Sequence, residues 1–143
     1  MRFLVLTLIF VAWAAGQTAS KADYLGGTVT EIRAGAGGRI RVDNQEHLIF
    51  STRRTSIGVP YKRINLLEYG QHVSRRLVLA YVLGPWVLPS KKFKHFLTLG
   101  FEADDGHQQA MVFRVNKGDI RVVLASLEAR TGVKVVYLDE QPR

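Results

Sequence analysis

Apolar and polar positions alternate most regularly between residues 96 and 115. Leu97, Leu99 and Phe101 alternate with Thr98, Gly100 and Glu102, and beyond a polar break Ala110 and Val112 alternate with Met111, Phe113 and Val115. A period of two marks a strand with two distinct faces. The break, Asp104-Asp105-Gly106-His107, contains an Asp-Gly step that accepts the positive φ of a two-residue hairpin turn. The spacing then changes: Ile120, Val123, Leu124 and Leu127 fall at i, i+3, i+4 and i+7, while Arg121, Glu128 and Arg130 lie off that stripe. Asn116, with Asp119 three residues on, predicts a capped helix start at about Lys117, and Gly132 stands where a left-handed C-terminal cap belongs. Residues 96–132 therefore predict a hairpin followed by one helix that packs an apolar face on a sheet.

Upstream, the same criteria predict strands at residues 26–33, 39–42, 46–51, 61–69 and 73–83. Between them lie a glycine-rich turn at 34–38, a turn at Asp43-Asn44 and a polar loop over 51–57. Gly84-Pro85 and Pro89 end the fifth strand, because proline cannot donate to a ladder. Residues 133–138 predict a short extra strand, within a C-terminal strand or tail spanning 133–143. The fold class is mainly β with one C-terminal helix: a seven-stranded antiparallel split barrel whose open end is capped by the amphipathic helix.

Composition trims this picture at the N-terminus. Met1-Arg2 is a short positive region, residues 3–12 are apolar, and Ala14-Ala15-Gly16 offers small residues for cleavage, so residues 1–16 read as a secretory signal peptide. The apolar run is shorter than the roughly 20 residues that span a bilayer as a helix. Residues 17–24 are small and polar and read as a disordered lead, leaving 25–132 as a single domain. The chain of 143 residues has no cysteine, which excludes disulfides, acylated cysteine anchors and thiol chemistry. Export without cysteine fits a bacterial periplasmic or secreted protein, peripheral to a membrane where it meets one. Net charge is +8, and loss of the leader, with one arginine and no acid, leaves +7. That surplus favours anionic partners. Export argues against nucleic acid and for an anionic lipid surface or an envelope protein.

The stretches GGTVTEI, VPYKRINLLEYG, KKFKHFLTLGFE and MVFRVNKGDIRVVLASLEARTG give the chain a resemblance to the pleckstrin-homology superfold, and more narrowly to bacterial PH-like and GRAM-like domains, over roughly residues 25–132. The resemblance implies a binding module. Members that bind inositol phosphates carry a Lys, a gap and Arg-x-Arg across the first two strands. This chain is similar at Arg33, Arg39 and Arg41 around AGAGG, with arginine at the first position. Two arginines on one strand face can grip an oxyanion between them.

A second candidate surface lies just before the hairpin. Arg75-Arg76 precede thirteen uncharged residues, 77–89 (LVLAYVLGPWVLP), and Lys91, Lys92 and Lys94 follow. The run is too short to cross a bilayer and is broken by Gly84-Pro85, but basic flanks with Trp86, Val87 and Leu88 between them suit contact with a membrane or an apolar partner. The competing reading makes residues 77–83 a core strand. Enzyme motifs are missing: there is no Gly-x-Ser-x-Gly, His-Glu-x-x-His or P-loop, and His47, His72, His95 and His107 are widely spaced. Asp104, Asp105 and His107 are explained by turn chemistry, and Glu31 and Glu102 stand alone. The sequence thus predicts a non-enzymatic binding module with no metal or cofactor. The other reading is an interaction protein that takes a peptide or a sister subunit by strand addition or on its helix face.

Overall fold

Residues 19–71 and 95–138 are described in the computed structural model of the chain. Strands β1 (Ala19–Gly27), β2 (Ala36–Arg41), β3 (His47–Ser51) and β4 (Ser56–Pro60) are followed by a 3-10 turn (Tyr61–Arg63) and β5 (Ile64–Gly70). Then come β6 (His95–Glu102), β7 (Gln108–Val115), helix α1 (Ile120–Thr131) and β8 (Val135–Tyr137). They form one eight-stranded sheet in the order β4-β3-β2-β1-β7-β6-β5-β8. Every neighbouring pair is antiparallel except β5 with β8. The described residues are thus mainly β with one helix near the C-terminus, and the sheet is open, with β4 and β8 as free edges. The strand expected at 73–83 lies outside the described residues.

Several local expectations are corrected. Residues 19–24 are not a disordered lead but the start of β1, because Ser20, Ala22 and Tyr24 alternate inward while Lys21 points to solvent. Residues 26–33 do not continue as a strand. β1 bulges between Tyr24 and Gly26, then ends at Gly27, whose φ of 150° and whose approach to Ala110 exclude a side chain: a Cβ there would sit 2.1 Å from the Ala110 carbonyl oxygen. The chain then leaves the sheet, and Val29 and Ile32 are buried from a loop. The polar loop expected over 51–57 is a tight turn, with Thr52 N–H donating to Thr55 O at 2.8 Å, followed by β4. Residues 61–63 are a 3-10 turn rather than the first residues of a strand.

The hairpin turn has three residues, not two. Ala103 and His107 pair through an Ala103 N–H to His107 O bond of 2.9 Å, and Gly106 takes φ 82°. The helix starts three residues later than expected. Asp119, not Asn116, is the cap residue, and it makes no side-chain cap bond; Asn116 O instead accepts from the backbone N–H groups of Asp119 and Ile120. Gly132 does form the left-handed C-terminal cap, at φ 73°.

Burial divides the sheet into two unlike faces. On one, Tyr24, Phe50 and Phe113 meet with ring centroids 4.9 to 6.5 Å apart, surrounded by Ile40, Leu48, Leu67, Leu97, Leu99 and Met111. Helix α1 delivers Ile120, Val123, Leu124 and Leu127 to the same core. Each such side chain contributes roughly 1.5–3 kcal/mol by leaving water. On the opposite face Leu25, Thr98, Ala110 and Val112 are buried too, so β6 and β7 lack the solvated side that strict alternation implies. Gly100 is needed there because Leu66 lies across it: a Cβ would come within 2.8 Å of the Leu66 Cβ.

Two outcomes follow from this core. Phe113→Ala lowers the unfolding free energy by about 3–5 kcal/mol in urea titration, whereas Val122→Ala, on the exposed helix face, changes it by less than about 0.5 kcal/mol. Burial also pushes the Tyr24 phenol up to about 12, and its hydroxyl donates to Val29 O at 3.0 Å. A folded-state value above the ordinary 10.0 means that Tyr24 contributes its full stability below pH 10 and loses it as pH rises to 12. Unfolding followed across that window should show the loss in the wild type and a shallower slope in Tyr24→Phe.

Candidate anion-binding face

Strands β1 and β2 carry Lys21, Arg39 and Arg41, and register decides which of them meet. β1 and β2 place Lys21 opposite Arg39, Asp23 opposite Gly37 and Ala19 opposite Arg41. Because Tyr24 and Ile40 face the core, Lys21, Asp23, Arg39 and Arg41 point outward together. The nearby carboxylates are already engaged. Arg114 grips Asp23, its Nε donating at 3.0 Å, and Arg41 holds Asp43 with two contacts of 3.3 Å. Lys21 and Arg39 are left side by side with no ion pair among the described residues. Ser51 continues the row across β3, its hydroxyl 2.9 Å from that of Ser56 on β4. Like charges directly across a ladder are destabilising, so this row is electrostatically unfinished.

Beside it lies a hollow of about 640 Å³ lined by Lys21, Asp23, Gly37, His95, Arg114 and Lys117. Gly37 leaves its floor bare: a Cβ there would lie 3.2 Å from Asp23 Oδ1. His95 opens β6, and its Nδ1 sits 2.7 Å from the Tyr69 hydroxyl, with the two rings stacked at 12°. A second hollow, of about 760 Å³, continues from His95 past Gln71, Lys117 and Arg121. Gly70 and Phe96 are paired neighbours on β5 and β6 at this same end of the sheet.

The predicted site residues are distributed as follows. Arg75, Arg76, Trp86, Val87, Leu88, Lys91, Lys92 and Lys94 lie outside the described residues. Arg39 and Arg41 share the outer face of β2, as expected. Arg33 does not join them. It sits in the turn before β2, its carbonyl accepting from Ala36 N–H at 3.0 Å, and a whole strand, about 17 Å at the usual rise, separates it from Arg41. Lys21 takes its place, a residue hidden in the small polar lead. The sequence signal for it is the alternation Ser20, Lys21, Ala22, Asp23, Tyr24, weak because the inward positions are small.

Asp104 and Asp105 serve the hairpin turn. Asp105 accepts from the backbone N–H of His107 at 3.0 Å, which holds its carboxyl below the usual range, and Arg63 pairs with Asp104. No group of three His, Asp or Glu side chains placed to hold a metal occurs among the described residues. No helix among them is long and apolar enough to cross a membrane. Comparison with protein-family models finds none that matches the chain, and comparison with curated proteins finds no match.

Removing one of the opposed cations should relieve the repulsion. Lys21→Ser is expected to raise the unfolding free energy by about 0.2–1 kcal/mol in low salt. The gain should fade near 1 M salt, where the Debye length drops to about 3 Å. A loss of stability at low salt would show that Lys21 is compensated.

Proposed function

We propose that the chain is an exported, non-enzymatic binding module of the PH-like kind that docks on an anionic membrane surface through the end of the sheet bearing Lys21, Arg39 and Lys117. The observation that carries this reading is the Lys21–Arg39 pair, two exposed cations held face to face with the neighbouring acids committed elsewhere. Such a pair costs folding stability, and an anion arriving from outside offsets that cost.

Three further features support the reading. The basic residues Arg75, Arg76, Lys91, Lys92 and Lys94, outside the described residues, flank an uncharged run that carries Trp86, Val87 and Leu88. The surplus of Lys and Arg over Asp and Glu has the sign that acidic lipid attracts. The PH-like assignment is supported by strand order: one meander from β1 to β4, another from β5 to β7, β1 beside β7, and a helix immediately after β7. In this reading the anion is gripped on the outer face of β1 and β2, and the apolar residues Trp86, Val87 and Leu88 add contact at the lipid boundary.

Vesicle co-sedimentation tests it. Vesicles containing phosphatidylglycerol should retain the protein in low salt, and pure phosphatidylcholine vesicles should not. Each cation near such a surface is worth about 1 kcal/mol, so Lys21→Ser with Arg39→Ser should weaken binding by about 30-fold. Equal binding to both lipids, or full binding by the double variant, would refute the assignment.

A further inference from the structure

Among the described residues the sheet ends in two edges with no further strand, and they differ in kind. β4 carries Gly58 and ends in Pro60, residues poor at extending a ladder. β8 is the opposite: of the four large apolar side chains exposed among the described residues, Val136 and Tyr137 are on it and Leu138 follows directly, at 48, 47 and 38 % exposure. An exposed apolar edge invites a further strand.

Backbone direction fixes what that strand can bond. Leu138 N–H donates to Tyr69 O at 2.9 Å, so the backbone groups of Val136 and Leu138 point toward β5 and those of Val135 and Tyr137 point away. Val135 N–H is already taken by Glu128 Oε1 at 2.8 Å. Tyr137 is left at the free edge with both its N–H and C=O directed outward.

We infer that β8 is a self-association edge: two copies of the chain pair their β8 strands antiparallel about a two-fold axis at Tyr137, joining two sheets into one. The argument for a second copy is self-complementarity. With Tyr137 opposite Tyr137, each donates its N–H to the other's carbonyl, the exchange of a hydrogen-bonded antiparallel pair. The same register sets Val136 of one copy against Leu138 of the other, covering both exposed apolar side chains. In the strand order β8 lies four strands from β1, so substitutions at Lys21 and Arg39 test lipid binding without altering the Tyr137 edge.

The absence of cysteine from the chain makes cross-linking a direct test. A hydrogen-bonded antiparallel pair holds its Cα atoms about 5.5 Å apart, inside the roughly 4.4–6.8 Å that a disulfide requires. Under mild oxidation Tyr137→Cys should form a disulfide dimer. A mixture of Val136→Cys with Leu138→Cys should cross-link faster than either alone. Val122→Cys, equally exposed on α1, should remain a thiol. Sedimentation of the wild type should show a concentration-dependent dimer that Val136→Lys shifts to monomer while circular dichroism stays unchanged. A wild type that is monomeric at all concentrations, or a Val122→Cys control that dimerises as fast as Tyr137→Cys, would overturn the inference.

Discussion

Pairing of β1 with β7 is the contact on which the sheet depends. Each half is a local meander, β1 to β4 on one side and β5 to β7 on the other, and the ladder from Ala22–Val115 to Gly27–Met111 is what joins them. Register along that seam sets Tyr24 beside Phe113, and Phe50 completes the aromatic contact from β3. The bulge at Leu25 and the close pass of Gly27 over Ala110 end the pairing where the chain must leave the sheet. The β1–β4 hairpins and the β6–β7 hairpin form from near neighbours in sequence, whereas this seam closes a long loop and so carries the larger entropy cost of folding.

The seam also makes the candidate site. Held between β2 and β7, β1 brings Lys21 opposite Arg39 on one side and Asp23 against Arg114 on the other. Because Arg114 neutralises Asp23 and Arg41 neutralises Asp43, the cations left without an ion pair on the outer face of β1 and β2 are Lys21 and Arg39. Net charge alone cannot locate a binding surface. Register can, because it distinguishes cations with partners from cations without them.

How much of this was legible in the sequence depended on the size of the inward residues. The hairpin and helix were readable because Leu97, Leu99, Phe113, Val123 and Leu127 are bulky and regularly spaced. β1 was not, because its inward positions before Tyr24 are Ser20 and Ala22, which are buried by their neighbours rather than by their own hydrophobicity. β4 was missed for a related reason, its alternation being carried by only Ile57 and Val59 between Ser56, Gly58 and Pro60. That Arg39 and Arg41 share a face followed from period-two spacing, but that Lys21 and not Arg33 lies beside Arg39 required the β1–β2 register, which no local pattern encodes.

The central claim is that one end of the sheet, around Lys21 and Arg39, meets an anionic surface. Amide chemical-shift mapping during titration with phosphatidylglycerol nanodiscs tests it most directly. The account predicts that the largest perturbations fall on Lys21, Arg39, His95 and Lys117, and that the hairpin tip at residues 104–107, at the opposite end of the strands, stays unmoved. Perturbations centred on the hairpin tip, or none at any lipid ratio, would contradict it.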